Sequence, residues 1–170
     1  MTSGDSDIGA AISPDSRWVI YNSDKSGRSA LWKVSIDGGA AVQLTEDTAE
    51  NPEVSPDGKL IACQYREQAN SPWRYAIIPF EGGKPLKVFD LPKATTKFRW
   101  SLDGRSLTYD EARGGVSNIW SFPLDGSPPK QLTDFKTDQI YNFKWSDDGK
   151  QLVLARGTTT SDVVLIQNFR

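Results

Sequence analysis

At 170 residues, 37% hydrophobic and 25% charged, the chain has the composition of a soluble globular protein and length for one or two domains. Its formal net charge of -2 gives no basic excess pointing to nucleic acid or anionic membrane, and no apolar run approaches the length of a membrane span. Histidine is absent and Cys63 is the single cysteine, which excludes a Ser-His-Asp or Cys-His triad, a Cys/His zinc site and an intrachain disulfide. The polar start, Met1 to Asp7, lacks the apolar stretch of a signal peptide. The compartment stays open: cytoplasmic, or extracytoplasmic within a longer parent.

In chain order, the turn motif Ser13-Pro14-Asp15-Ser16-Arg17 precedes a β-rich run at 18–21, a second at 31–34, an Asp37-Gly38 corner and a run at 42–45. Residues 52–54 lead into Ser55-Pro56-Asp57-Gly58-Lys59, then runs at 60–63 and 73–78, Glu81-Gly82 and a run at 86–89. Residues 98–100 lead into Ser101-Leu102-Asp103-Gly104-Arg105, then 106–109, 118–121, Asp125-Gly126 and 130–133. Residues 143–145 lead into Ser146-Asp147-Asp148-Gly149-Lys150, then 151–154 and 163–166.

The four motif serines recur at intervals of 42, 46 and 45 residues, near the period of propeller blades. Ser or Asp first, Pro second and Gly fourth suit a type I turn closed by a left-handed residue. Asp-Gly between β runs is a two-residue hairpin signal. No stretch shows helical periodicity. The expected fold is therefore all-β: a partial β-propeller of four repeats with antiparallel four-stranded blades, with a β-sandwich as the alternative. One domain, 1–170, divides into units near 9–45, 51–89, 97–133 and 142–170. The last blade lacks its outer strand, since Phe169 and Arg170 align with Leu124 and Asp125. Thr2-Ser3 align with Leu44-Thr45, so the N-terminal outer strand is expected to be missing too. This reads as a fragment of a six- to eight-bladed parent, with two copies able to complete a ring; a closed four-bladed ring is the alternative.

The pattern Phe98-x-Trp100-Ser101-x-Asp103-Gly104-Arg105, with Leu31-Trp32, Asp37-Gly38-Gly39 and Gln43-Leu44-Thr45 in the first unit, resembles the TolB-type propeller repeat. Ser16 stands where the motif has Gly, and Pro56 becomes Leu102 and Asp147. The resemblance implies one of three roles: an envelope scaffold like TolB, the gating propeller of a prolyl-oligopeptidase-like hydrolase, or a propeller appended to bacterial kinases and regulators. The ending 161–170 looks like the last group. A non-catalytic protein-interaction or sensing module of a larger bacterial signalling protein is expected, with a protein or peptide partner, a possible homodimer, and no cofactor, nucleic acid or membrane insertion.

The recurring Asp15, Asp57, Asp103 and Asp148, with Gly58, Gly104 and Gly149, read as turn chemistry in preference to a carboxylate ring for metal. Glu53, Arg99 and Lys144 share one inner-strand position, so they line a central channel or pair between blades. Phe98, Trp100, Phe143 and Trp145 beside them read as blade-to-blade packing. The tight corners fall at one end of the blades. The longer connections, 23–29, 66–72, 111–117, 46–50, 90–96 and 134–141, fall at the other. Arg28, Arg66, Arg113 and Arg156 lie in or beside them as candidate partner contacts, within a mixed-charge surface. Phe135 and Tyr141 are candidate anchors, with burial against a neighbouring blade as the alternative.

Overall fold

Each corner motif closes on itself and joins the first two strands of its blade. In the second, the Ser55 hydroxyl donates to Asp57 Oδ1 at 2.6 Å while its oxygen accepts from the Leu60 main-chain N–H at 2.9 Å. The same carboxylate accepts the Lys59 N–H at 3.1 Å, and the Gly58 N–H closes on the Ser55 carbonyl at 2.8 Å. Gly58 has φ +71°, a left-handed conformation that costs glycine little; Ser16 adopts it in the first blade at φ +58°.

The structure, a computed structural model, describes residues 8–92, 95, 97–146 and 148–159. Their regular elements are all strands. The first sheet is β1 (Ile8–Ile12), β2 (Trp18–Ser23), β3 (Ala30–Ser35) and β4 (Val42–Gln43), in that order. The second is β5 (Thr48–Val54), β6 (Leu60–Arg66), β7 (Arg74–Pro79) and β8 (Lys87–Phe89). The third is β9 (Phe98–Trp100), β10 (Ser106–Arg113), β11 (Val116–Pro123) and β12 (Lys130–Gln131). The fourth, β13 (Gln139–Trp145) and β14 (Leu152–Gly157), is two-stranded among the described residues. All paired strands are antiparallel meander neighbours. The expected run at 163–166, Phe169, Arg170, Asp147 and the segment before Ile8 lie outside the described residues.

Blade 2 shows why its strands are almost continuously apolar. Ile61, Cys63, Tyr65, Ala76 and Ile78 pack toward blade 1 with Ile20, Leu31 and Leu44. The alternate residues Ala62, Tyr75 and Ile77 pack toward blade 3 with Phe98, Trp100, Leu107 and Tyr109. A strand covered on both faces needs apolar residues at both parities. Each fully buried Ile or Leu contributes about 1.5–3 kcal/mol relative to exposure. Ile119, Ile140 and Phe143 join blades 3 and 4 in the same way.

Two turn expectations need correction. The Asp-Gly corners are not two-residue hairpin loops: the Gly38 N–H reaches the Ser35 carbonyl (3.0 Å) and the Gly82 N–H the Pro79 carbonyl (2.9 Å), placing glycine fourth in a turn. The outer strands β4 and β12 then pair over two residues each, because blade twist carries an outermost strand away from the corner. Conversely, the connection expected to be long at 111–117 is the tightest of its kind among the described residues. Arg113 pairs with Val116 across Gly114-Gly115, both left-handed at φ +57° and +84°, as a type I′ corner demands.

Candidate protein-binding surface

The meander puts both kinds of tight corner, β1–β2 and β3–β4 in blade 1, at one end, and the β2–β3 and blade-to-blade connections at the other. At the corner end the carboxylates are spent locally. Asp15, Asp57, Asp103 and Asp148 each accept from their own motif serine and from a main-chain N–H two residues on. These bonds stabilise the charged form, chiefly the seryl hydroxyl, and hold the four carboxyls below the usual carboxylate range. Among the described residues no cluster of three or more acids or cysteines is placed to hold a metal ion.

At the axis, Glu53 and Arg99 form an ion pair across blades 2 and 3. Arg99 also donates to the Phe98 carbonyl at 2.8 Å. Burial lifts the Glu53 carboxyl above its ordinary value, opposed by the Arg99 charge. Lys144 stays exposed and shares with Arg99, Trp100 and Trp145 a second recess of about 210 Å³. The larger axial cleft, about 260 Å³, is lined by Gly9, Asn51, Glu53, Gln64, Lys97 and Arg99 among others. Its shape depends on bulges in β1, between Ile8 and Ala10, and in β5, between Glu50 and Glu53. At these bulges Gly9 and Asn51 take φ +58° and +53°, and the Asn51 amide donates to Gln64 Oε1 at 3.0 Å. Bulges of this kind re-aim side chains.

The loop end carries a repeating contact. Lys25 Nζ lies 3.7 Å from the Trp32 ring centre, the Arg66 guanidinium 4.6 Å from Trp73, Arg113 5.3 Å from Trp120, and Arg156 3.4 Å from Phe135. Three of these cations precede their tryptophan by seven residues, across the hairpin between the second and third strands. That spacing is a signal the sequence reading missed, and with it Lys25 and Trp73. Of the candidate arginines, Arg28 is exposed and off this row. Arg113 is bound to Glu111 at 2.7 Å, and Arg156 donates to the Thr137 carbonyl at 2.7 Å. Phe135 lies half-buried beneath Arg156, packed on the cluster of Ile119, Ile140 and Phe143. Tyr141 is 43% exposed, its hydroxyl 2.9 Å from that of Thr159.

Four-stranded antiparallel meanders stacked face to face, with inner strands around a polar cleft, define a segment of a β-propeller. No family model matches the chain. Tol-Pal system protein TolB of Francisella tularensis subsp. tularensis is 26% identical over 164 residues, 92% of this chain and 37% of that protein. An uncharacterized peptidase of Bacillus subtilis, YuxL, is 27% identical over 147 residues, 82% of this chain and 22% of that protein. Among solved structures, TolB from Acinetobacter baumannii superimposes with a TM-score of 0.72 at 23% identity, over 95% of this chain and 40% of that one. A chain of a nidogen/laminin complex gives 0.66 at 15% identity, over 88% of this chain and 56% of that one. The chain thus spans less than two fifths of the TolB sequences it resembles, and TolB proteins stand among both its relatives and its structural neighbours.

Proposed function

We propose that the chain is a non-catalytic protein-interaction or sensing segment of a β-propeller, working within a larger bacterial signalling or regulatory protein. The observation that carries this reading is the contrast between the two blade ends. At the corner end, the repeated carboxylates are tied up in their own turns. At the loop end, cations are laid on aromatic rings, one pair per blade, in planar surfaces that lose little side-chain freedom when a partner docks. The likeness to TolB, a protein of the Tol-Pal system, and to a chain solved in a nidogen/laminin complex supports a protein partner.

The test is capture from a bacterial extract on the immobilised chain. A discrete retained protein is expected, lost when Trp73 and Arg113 are replaced by alanine and kept when Asp57 and Asp148 are replaced by asparagine. No retained protein, or equal loss with both sets, speaks against the proposal. The likeness to the YuxL peptidase favours a second reading, a propeller gating a separate hydrolase domain. A hydrolase segment downstream in the parent reading frame decides for it; a kinase or DNA-binding segment upstream decides against it. A TolB-like envelope scaffold is a third reading, distinguished by a Tol-type neighbourhood of the gene. A second copy of the chain is also a candidate partner, and light scattering that finds a monomer at high concentration removes it.

A further inference from the structure

We infer that blade 2 carries a carboxylate socket at its loop end, built on Arg66, which receives an acidic side chain or terminal carboxylate of the partner. This rests on the protein-binding reading and names the chemistry recognised at one point of that surface. A cavity of about 200 Å³ opens there, lined by Tyr65, Arg66, Glu67, Ser71, Arg74 and Val88, with Pro72 at its edge. Arg66 is held on two sides: its guanidinium carbon lies 4.6 Å from the Trp73 ring centre, and its Nη1 donates to the Ala69 carbonyl at 2.9 Å. Its Nε is buried and has no hydrogen-bond partner. An orphaned guanidinium N–H costs more than an ordinary one, because a charged donor loses its water without replacement. A planar carboxylate is the group whose two oxygens suit the fork of donors on arginine.

The rest of the lining sets the selectivity. Arg74 is held by Asp90, with Nε to Oδ1 at 3.0 Å and Nη2 to Oδ2 at 3.4 Å, and this pair is exposed at the rim. Glu67 is a second acid on the wall. With Arg74 paired to Asp90 and Glu67 on the wall, the cavity has no net positive field, so recognition depends on hydrogen bonding by the Arg66 guanidinium and the Ser71 hydroxyl. A singly charged planar anion is favoured over a multiply charged phosphate, which Glu67 on the wall repels more strongly. Val88 and Pro72 supply the apolar wall for the stem of an incoming glutamate, while Trp73, 42% exposed, lies outside the lining and backs Arg66.

The test is fluorescence anisotropy of the whole chain with three labelled peptides blocked at both ends: Gly-Ser-Glu-Ser-Gly, its Gln counterpart and its phosphoserine counterpart. A fourth peptide, the Gln sequence with a free C-terminal carboxylate, separates the two carboxylate sources. At least tenfold tighter binding of one carboxylate peptide than of the blocked Gln peptide is expected, with the phosphopeptide weaker than that carboxylate peptide. Arg66→Lys should abolish the preference, since lysine lacks the fork of donors that matches a carboxylate. Ser71→Ala, in the loop, should weaken it severalfold and keeps the test readable if Arg66→Lys does not fold. Equal binding of the blocked Gln and carboxylate peptides, binding of none, strongest binding of the phosphopeptide, or a preference unchanged in both variants overturns the socket. Capture of the partner from extract by Arg66→Lys at wild-type level would sink the socket while leaving the protein-binding reading intact.

Discussion

The indole Nε1 of Trp100 donates to the main-chain carbonyl of Glu53 at 2.8 Å, tying the inner strand of blade 3 to that of blade 2. Trp145, one repeat later, reaches back to blade 3 through Thr108 Oγ1 at 3.0 Å. In blades 3 and 4 the tryptophan that closes the inner strand thus sits at the seam between blades and also bonds a polar group of the preceding blade, where blades 1 and 2 have Ile12 and Val54. Trp100→Phe keeps most of the packing and leaves the carbonyl without its donor. A loss of about 1–3 kcal/mol is expected, or roughly 2–4 °C in Tm for each kcal/mol at this chain length. Calorimetry that finds Trp100→Phe as stable as the wild type would remove the bond from the seam.

The Gln-Leu-Thr signature continues the sheet with a side chain. The Thr45 hydroxyl accepts the Leu31 N–H at 3.0 Å while Gln43 Nε2 donates to the Thr45 carbonyl at 2.7 Å. Thr133 and Gln131 repeat both bonds in blade 3, at 2.9 Å to the Ile119 N–H and 2.6 Å. Thr45 is buried and Thr133 half-buried. Thr45→Val, of the same shape, should therefore cost about 1–3 kcal/mol and Thr133→Val less, read from urea midpoints. The reverse order would contradict this account.

Two glycines with similar backbone angles should respond differently to alanine. Gly82 (φ +89°) would place a new Cβ 2.7 Å from the Leu44 carbonyl oxygen, a main-chain atom of the neighbouring blade that cannot swing aside. Gly38 (φ +91°) has nothing within 4 Å. Gly38→Ala should cost about 1–2 kcal/mol from backbone strain. Gly82→Ala should cost clearly more, because the seam between blades 1 and 2 must open. Equal shifts in Tm would show that the hairpin at 80–83 does not dock on blade 1.

The carboxylates of the corners and of the axis should respond to pH with opposite signs. Asp57 and Asp103 have folded values below the ordinary 3.8, so their stabilisation is whole above that value and is lost as pH falls through the folded value. Glu53 has a folded value above the ordinary 4.5, so its contribution is whole below 4.5 and erodes as pH rises through the folded value. Unfolding free energies from about pH 3 to about pH 8 should show Asp57→Asn flattening the acid limb and Glu53→Gln flattening the decline above it. Slopes of the same sign in both variants would refute the assignment.

Cys63 is fully buried between blades 1 and 2, and burial pushes its thiol up to about 12. At mildly alkaline pH the folded chain should not react with a thiol reagent, and labelling should follow opening of the blade 1–blade 2 seam. Reaction at the speed of a free thiol would place Cys63 outside the core.

The particular elements divide cleanly between what was legible and what was not. The corner motifs and the Gln-Leu-Thr signature were readable; which face of blade 2 takes Ile61 and Ile78 and which takes Ile77 was not, because its strands are apolar at both parities. Gly114-Gly115 was also readable as a tight corner, but a reading keyed to the repeat treated it as a long connection. The arginines were visible as a class, yet their partners were not: Arg66 over Trp73, Arg113 over Trp120 and Arg156 over Phe135 depend on how each hairpin folds back.

By itself the sequence determined the repeat, because each corner is closed by bonds spanning two to five residues, such as Ser55 to Asp57 and to Leu60. Local bonds of that reach form whatever the distant chain does. Only the tertiary structure decided the seams and the axis. Arg99 meets Glu53 across 46 residues, Lys33 meets Glu81 across 48, and Lys87 meets the Leu124 carbonyl across 37. Those pairings arise when blades stack and twist against one another, and no spacing along the chain encodes which charge will face which.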